Sequence, residues 1–186
     1  MSISTAEFKN GKCIIVDGKK YVIIDFQHVK PGKGGAFVRT KLRDIKTQRV
    51  NELTFRAGEK FDDVMLSTKE MQYLYNDSDS YYFMDTTTYE QLPVPADIIG
   101  DKRFWLKENS ICQLQYADDE LIGVDPPMFV ELEVTDTEPG FKGDTVQGGS
   151  KPATLETGAI INVPMFVNVG DVLRVDTRDG RYVTRV

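Results

Sequence analysis

The stretch KYVIIDFQHVKPGKGGAFVRTKL, residues 20–42, decides the fold of the first part of the chain. Runs rich in β-branched and aromatic residues at both of its ends are typical of half-buried strands. Between them, Pro31 fixes φ and cannot donate to a strand ladder, and three glycines permit positive φ. The pattern therefore predicts a β-hairpin whose open turn leaves the Lys33 ammonium free to project. The glycines of this turn are Gly32, Gly34 and Gly35.

Short strand-like runs continue along the rest of the chain and predict an all-β protein built from small barrels. Asp17-Gly18 and Asp179-Gly180 are hairpin-turn signals, and residues 95–100 form the best short-helix candidate. Asp125-Pro126-Pro127 favours extended backbone and marks a boundary. Strands are expected at 12–16, 21–26, 36–42, 49–55, 70–76, 80–85, 110–116, 120–124, 129–134, 151–155, 160–163, 172–176 and 182–186.

These runs divide the chain into three expected domains, residues 1–64, 65–127 and 128–186. Charge divides it as well, since residues 1–60 hold 13 Lys and Arg against 6 Asp and Glu, whereas residues 61–186 hold 10 against 23. A basic first module on an acidic body indicates that the first module faces phosphates.

Catalytic and metal-binding chemistry finds little support in the composition. Cys13 and Cys112 are far apart, and His28 is the single histidine, so zinc sites and disulfide scaffolds lack ligands. The lysine at the glycine-rich turn is followed by glycine and a strand rather than by a helix, which excludes a P-loop. No enzyme, cofactor or metal site is expected. With no signal peptide or membrane-length segment in the sequence, a cytoplasmic protein is expected.

The sequence resembles bacterial translation elongation factor P, a relative of the hypusine-containing translation factor of eukaryotes and archaea. The resemblance is carried by residues 30–39, 54–59, 81–85 and 88–91, and most specifically by a carboxy-terminal signature. That signature is met by Lys151, Ala153, Gly158, Ile161, Val163, Pro164, Val167 and Gly170.

The resemblance implies an amino-terminal barrel of the KOW/SH3-like kind and two OB-fold barrels, in an L-shaped arrangement similar to a tRNA. It also implies a monomeric, non-enzymatic factor that binds the 70S ribosome between the peptidyl and exit sites. Such a factor relieves stalling at consecutive prolines and stimulates peptide-bond formation. It does so by helping the peptidyl-tRNA to adopt a productive geometry.

Particular residues take roles through the same resemblance. Lys33 would reach the CCA end of the P-site tRNA, and in several lineages an enzyme lengthens this lysine. The loop with Gly143, Asp144 and Thr145 would approach the exit-site codon of the messenger RNA, and Tyr182 and Arg185 would meet the small subunit. The tip loop comprises Pro31, Gly32, Gly34 and Gly35, and the cations expected on RNA phosphates are Lys30, Arg39, Lys41 and Arg43.

Two other interpretations fit the sequence less well. One is a general single-stranded nucleic-acid-binding protein with tandem OB barrels, which would need aromatic and basic residues interleaved in the acidic later domains. Tyr81, Tyr82 and Phe83 could offer such a stacking surface, but strand alternation gives at least one face of this run to the core. The other is an enzyme, which lacks a plausible site in the sequence.

Overall fold

The structure is a computed structural model that describes residues 1–140 and 149–186. It confirms the expected all-β class, because nearly all of the regular structure lies in three antiparallel sheets. The first sheet contains β1 (Ser2–Ser4), β2 (Cys13–Val16), β3 (Lys19–Val29), β4 (Phe37–Asp44), β5 (Val50–Arg56) and β6 (Lys60–Val64), in the order β1-β6-β2-β3-β4-β5.

The second and third sheets have five strands each, in the orders β11-β10-β7-β8-β9 and β14-β13-β12-β15-β16. The second contains β7 (Leu66–Asn76), β8 (Ser80–Met84), β9 (Gln91–Pro95), β10 (Ile111–Ala117) and β11 (Glu120–Asp125), with α1 (Ala96–Ile99) and a 3₁₀ helix (Gly100–Trp105) before β10. The third contains β12 (Phe129–Thr137), β13 (Ser150–Leu155), β14 (Ile160–Pro164), β15 (Val172–Asp176) and β16 (Arg181–Arg185).

The chain forms two compact units, and the first takes in part of the second sheet. Unit 1 comprises residues 1–68 and 115–122, and unit 2 comprises residues 69–114 and 123–186. In unit 1, Ala117 and Ile122 pack against Cys13. Lys20 donates to the carbonyl of Ala117 and to the Glu120 carboxylate at 2.8 Å. The hairpin between β10 and β11 therefore completes the core of the first unit.

The core of the amino-terminal barrel contains one buried polar atom without a hydrogen-bond partner among the residues that the structure describes, Thr40 Oγ1. The buried hydroxyl of Thr5, by contrast, accepts from the backbone N–H of Gly58 at 2.8 Å. A buried polar group without a partner costs free energy, whereas valine has nearly the same shape without the hydroxyl.

Thr40→Val should therefore stabilise unit 1 by about 1 kcal/mol, whereas Thr5→Val should destabilise it by about 1 to 2 kcal/mol. Urea unfolding of both variants measures the two effects. A loss of stability in Thr40→Val would mean that its hydroxyl finds a partner in solution.

The same turn joins β4 to β5, β8 to β9 and β15 to β16. In each, the side-chain oxygen of an aspartate accepts backbone N–H groups two or three residues later, and its carbonyl accepts from a residue with positive φ four residues later. The aspartates are Asp44, Asp85 and Asp176, and the residues with positive φ are Gln48, Tyr89 and Gly180. Asx turns of this kind set the hairpin register.

Two of these carboxyl groups make the stability of the protein sensitive to acid. The ammonium of Lys69, with the N–H groups of the turn, lowers the pKa of Asp85 to about 2, and the guanidinium of Arg178 lowers that of Asp176 to about 2. Because the pKa is lower in the folded state, the stabilisation is complete above pH about 4 and is lost as the pH falls from there toward 2.

We expect the melting temperature of the protein to fall between pH 5 and pH 2, and the gap between wild type and Asp85→Asn to close over the same range. Asp136→Asn, at an exposed position on β12, should retain the wild-type pH dependence. A gap that stayed constant down to pH 2 would contradict the assigned ion pair.

Candidate nucleic-acid interface

Lys33 lies at the centre of the open loop that joins β3 to β4. The two strands pair antiparallel up to Val29 and Phe37, which confirms the expected hairpin. Lys33 and its neighbours from Lys30 to Gly35 are exposed. Its side chain is therefore available to a partner.

Only one of the three glycines in this fully described loop uses its conformational freedom. Gly34 has φ +107°, whereas neither Gly32 nor Gly35 lies in the left-handed region, so only Gly34 adopts the positive φ that all three permit. A Cβ built on Gly32 or Gly35 would meet nothing within 4 Å. These two glycines keep the surroundings of Lys33 free of side chains rather than setting a special backbone conformation.

Three cations follow one another on the outer face of β4. Arg39, Lys41 and Arg43 are exposed and alternate with the buried Val38, Thr40 and Leu42, as the period of a strand requires. Since a strand rises by about 3.3 Å per residue, the three charges of β4 form a line roughly 13 Å long. We call this line the β4 cation row.

The cross-strand partners divide the row into unequal positions. Lys41 lies between Asp25 on β3 and Glu52 on β5, so carboxylates flank it on both sides. Arg39 lies between Gln27 and Thr54, and Arg43 lies between Val22 and Val50. The arginines at the two ends therefore carry the positive potential of the row.

A groove of about 390 Å³ opens beside Arg43 within unit 1. Apolar side chains, among them Ile45 and Ile122, line it together with amides and hydroxyls. The ring of Tyr116 also lines it. A mixture of apolar, aromatic and hydrogen-bonding groups suits a flat polar ligand such as a nucleobase.

Tyr182 and Arg185, the two residues near the carboxy terminus that are expected to bind RNA, make contacts within the protein. Tyr182 packs against the hydrophobic core of the third sheet. The guanidinium of Arg185 lies 3.4 Å from the Asp171 carboxylate and 5.4 Å from the centre of the Phe166 ring. Arg185 remains about half exposed and can offer its remaining donors to a partner. Gly143, Asp144 and Thr145 lie outside the described residues.

The described residues on the two sides of positions 141–148 make specific contacts. Lys151 is buried and donates to the carbonyl of Glu138. A Cβ on Gly140 would lie 2.5 Å from the carbonyl oxygen of Met165, so only glycine fits this close backbone approach. This contact could not be foreseen from the sequence, because Gly140 and Met165 are far apart in the chain.

The geometry of the described residues gives little support to a reactive thiol or a metal site. Burial raises the pKa of Cys13 and Cys112 to about 11, so both thiols are protonated at neutral pH. Within residues 1–140 and 149–186, no group of three His, Cys, Asp or Glu side chains is placed to hold a metal ion. His28 lies in β3 and meets the edge of Phe26. None of the helices in the described ranges has the length and apolar character needed to cross a membrane.

Comparison with protein families gives three matches in sequence order. "Elongation factor P (EF-P) KOW-like domain" matches residues 4–61, "Elongation factor P (EF-P) OB domain" matches residues 66–124, and "Elongation factor P, C-terminal" matches residues 130–185. Together the three matches span almost the whole chain.

Similar proteins extend over the same length. Elongation factor P of Thermoanaerobacter sp. (strain X514) is 54% identical over 184 residues, which cover 99% of this chain and 100% of that protein. Elongation factor P of Acetivibrio thermocellus is 56% identical with the same coverage.

Solved structures share the fold at low sequence identity. One is the eukaryotic translation initiation factor 5A from Methanococcus jannaschii, at 23% identity and a TM-score of 0.51 over 67% of this chain and 95% of that one. Another is a translation initiation factor 5A family protein from Naegleria fowleri, at 16% identity and 0.54 over 67% and 97%.

Proposed function

The chain belongs to the elongation factor P family of translation factors, and we propose that it binds the ribosome between the peptidyl and exit sites. There it relieves stalling at consecutive prolines by positioning the CCA end of the peptidyl-tRNA through Lys33. The observation that carries this proposal is the exposed Lys33 at the tip of an open hairpin whose outer strand bears the β4 cation row.

The proposed mechanism is positional rather than chemical. Proline reacts slowly in peptide-bond formation because its ring constrains the backbone and the geometry of attack. A cation that reaches the tRNA end would hold the reactants in a productive arrangement and lower the entropic part of the barrier. In this mechanism no group of the factor forms or breaks a bond, and no cofactor takes part.

The β4 cation row supplies the contact with the tRNA backbone in this proposal. Arg39 and Arg43, which lack carboxylates opposite them, bind phosphates more strongly than Lys41 does. Lys30 adds a further charge at the base of the tip. Phosphate contacts of this kind set the register of the tRNA without reading its sequence, and the groove beside Arg43 can take a base that leaves the stack.

The acidic unit 2 approaches RNA at few points in this proposal. The loop with Gly143, Asp144 and Thr145 faces the exit-site codon of the messenger RNA, where Asp144 can accept hydrogen bonds from base amino groups. Tyr182 and Arg185 lie against the small subunit, Arg185 through the donors that its contact with Asp171 leaves free.

A modifying enzyme acts on Lys33 in the proposed cycle. The glycines on either side leave open space, so an active site can close around the ammonium and the lengthened arm stays unobstructed afterwards. The factor acts as a monomer in the cytoplasm, where translation takes place. The intact mass of protein purified from its native host identifies the modification.

The test is translation in vitro of a reporter with three consecutive prolines, with and without the natively purified protein. We expect faster synthesis of this reporter and no change for a matched reporter without prolines. No acceleration by the folded, natively modified protein would refute the proposal. It would then favour the general nucleic-acid-binding alternative.

A further inference from the structure

A pair of stacked tyrosines lies on the outer surface of the second sheet. It belongs to a different part of the sequence from Lys33. The rings of Tyr75 on β7 and Tyr82 on β8 have centroids 4.7 Å apart and are inclined by 20°. Tyr75 is 48% exposed. The strand register shifts between Tyr73 and Tyr75, and Tyr73, unlike Tyr75, is buried and packs on Phe83.

Hydrogen bonds hold a carboxylate beside this pair. The hydroxyl of Tyr82 donates to Asp77 Oδ2 at 2.9 Å, and the N–H groups of Asp79 and Ser80 donate to Oδ1 at 2.9 and 2.8 Å. The N–H of Asp79 and then the Tyr82 hydroxyl lower the pKa of Asp77, so it is ionised at neutral pH. The surface thus combines a flat aromatic face with a fixed negative charge.

The stretch of chain that bears the pair is rich in carboxylates. The segment from Glu70 to Asp101, which contains β8, β9 and most of β7, has seven carboxylates and no Lys, Arg or His, and of these carboxylates Asp85 forms an ion pair with Lys69 just before the segment. Proteins that stack nucleobases on OB-fold aromatics pair them with a positively charged groove that follows the phosphates. Here the phosphates would meet carboxylates, so the charge disfavours a nucleic acid on this face.

We propose that the Tyr75–Tyr82 pair and Asp77 form a docking site for an arginine-bearing segment of a basic protein. Arginine guanidinium groups stack on tyrosine faces within about 6 Å and form charge-assisted hydrogen bonds with carboxylates. Pro93, which lies opposite Tyr82 on the edge strand β9, is exposed and extends the apolar surface. The site is independent of Lys33 and of the β4 cation row, and it gives unit 2 a protein partner.

The test is an NMR titration of the full-length, ¹⁵N-labelled protein with a peptide of alternating arginine and glycine. We expect saturable shifts centred on Tyr75, Asp77 and Tyr82. Tyr75→Leu should weaken binding about twofold to fivefold, as loss of one cation–π contact at an exposed site implies. Tyr75→Phe, which keeps the ring, should bind as the wild type does. Asp77→Asn should weaken binding and reduce its dependence on salt.

Tyr89→Asn provides the matched control, because Tyr89 is also an exposed tyrosine of this segment, at 71%, and its positive φ suits asparagine. It should leave peptide affinity unchanged. Equal affinity in Tyr75→Leu and wild type would overturn the proposal. Shifts spread over the acidic surface without saturation would also overturn it, as would tighter binding of oligouridylate RNA at the same residues.

Discussion

Lys33→Ala should remove the acceleration of a three-proline reporter while leaving the fold intact. We expect the rate of synthesis through the prolines to fall to the level without the factor, a loss of about tenfold or more, equivalent to about 1.4 kcal/mol of activation free energy. The fold should survive because Lys33 and its neighbours in the loop are exposed. Translation kinetics in vitro and the melting temperature of the variant measure the two effects.

Lys19→Ala is the matched control for this result. Lys19 is an exposed lysine at the beginning of β3, at the turn with Asp17 and Gly18 rather than at the tip. Its loss should change neither the proline-specific rate nor the proline-free rate. Equal losses in the two variants would show that Lys33 contributes only to the general positive charge of unit 1, and the positional mechanism would fail.

The hairpin that carries Lys33 was predictable because its signals are local. β-branched residues form the strands, and proline and glycine form the turn between them, all within residues 20–42. The Asp17-Gly18 and Asp179-Gly180 turns were recognised for the same reason, and all three of Asp17, Gly18 and Gly180 have positive φ.

β9 escaped prediction because its five residues include Pro93 and Pro95. Proline is depleted in strands since it donates no ladder hydrogen bond, but an edge strand tolerates it. β9 is the last strand in the order of its sheet, and both prolines are exposed. β1 and β6 were also missed, because each is short and is stabilised by pairing with strands distant in the chain, β1 with β6, and β6 with both β1 and β2.

The electrostatics of the β4 cation row could not be read from the sequence. Register between β3 and β4 shifts between Ile23 and Asp25, so that Asp25 lies opposite Lys41. Regular pairing would have brought Ile24 there instead. A bulge of one residue thus places a second carboxylate beside Lys41, in addition to Glu52 on β5, and nothing in the local pattern indicates it.

Among the glycines with positive φ in residues 1–140 and 149–186, Gly180 should tolerate substitution least. It has φ +69°, which costs a residue with a side chain about 1 to 2 kcal/mol. In addition, a Cβ there would lie 3.1 Å from Trp105 Cζ2 and 3.3 Å from Cη2. Trp105 is the last residue of the 3₁₀ helix that precedes β10. It packs against the hydrophobic core of the third sheet, which limits its movement.

Gly180→Ala should therefore destabilise unit 2 by about 3 kcal/mol, the sum of the backbone cost and an overpacking cost of about 1 to 2 kcal/mol. Gly170→Ala isolates the backbone term, because Gly170 has φ +89° but a Cβ there meets nothing within 4 Å. Urea unfolding followed by circular dichroism measures both. Replacing Trp105 by leucine should reduce the difference between the two glycine variants, since the clash disappears with the ring. Equal losses in Gly180→Ala and Gly170→Ala would show that the indole moves aside without cost.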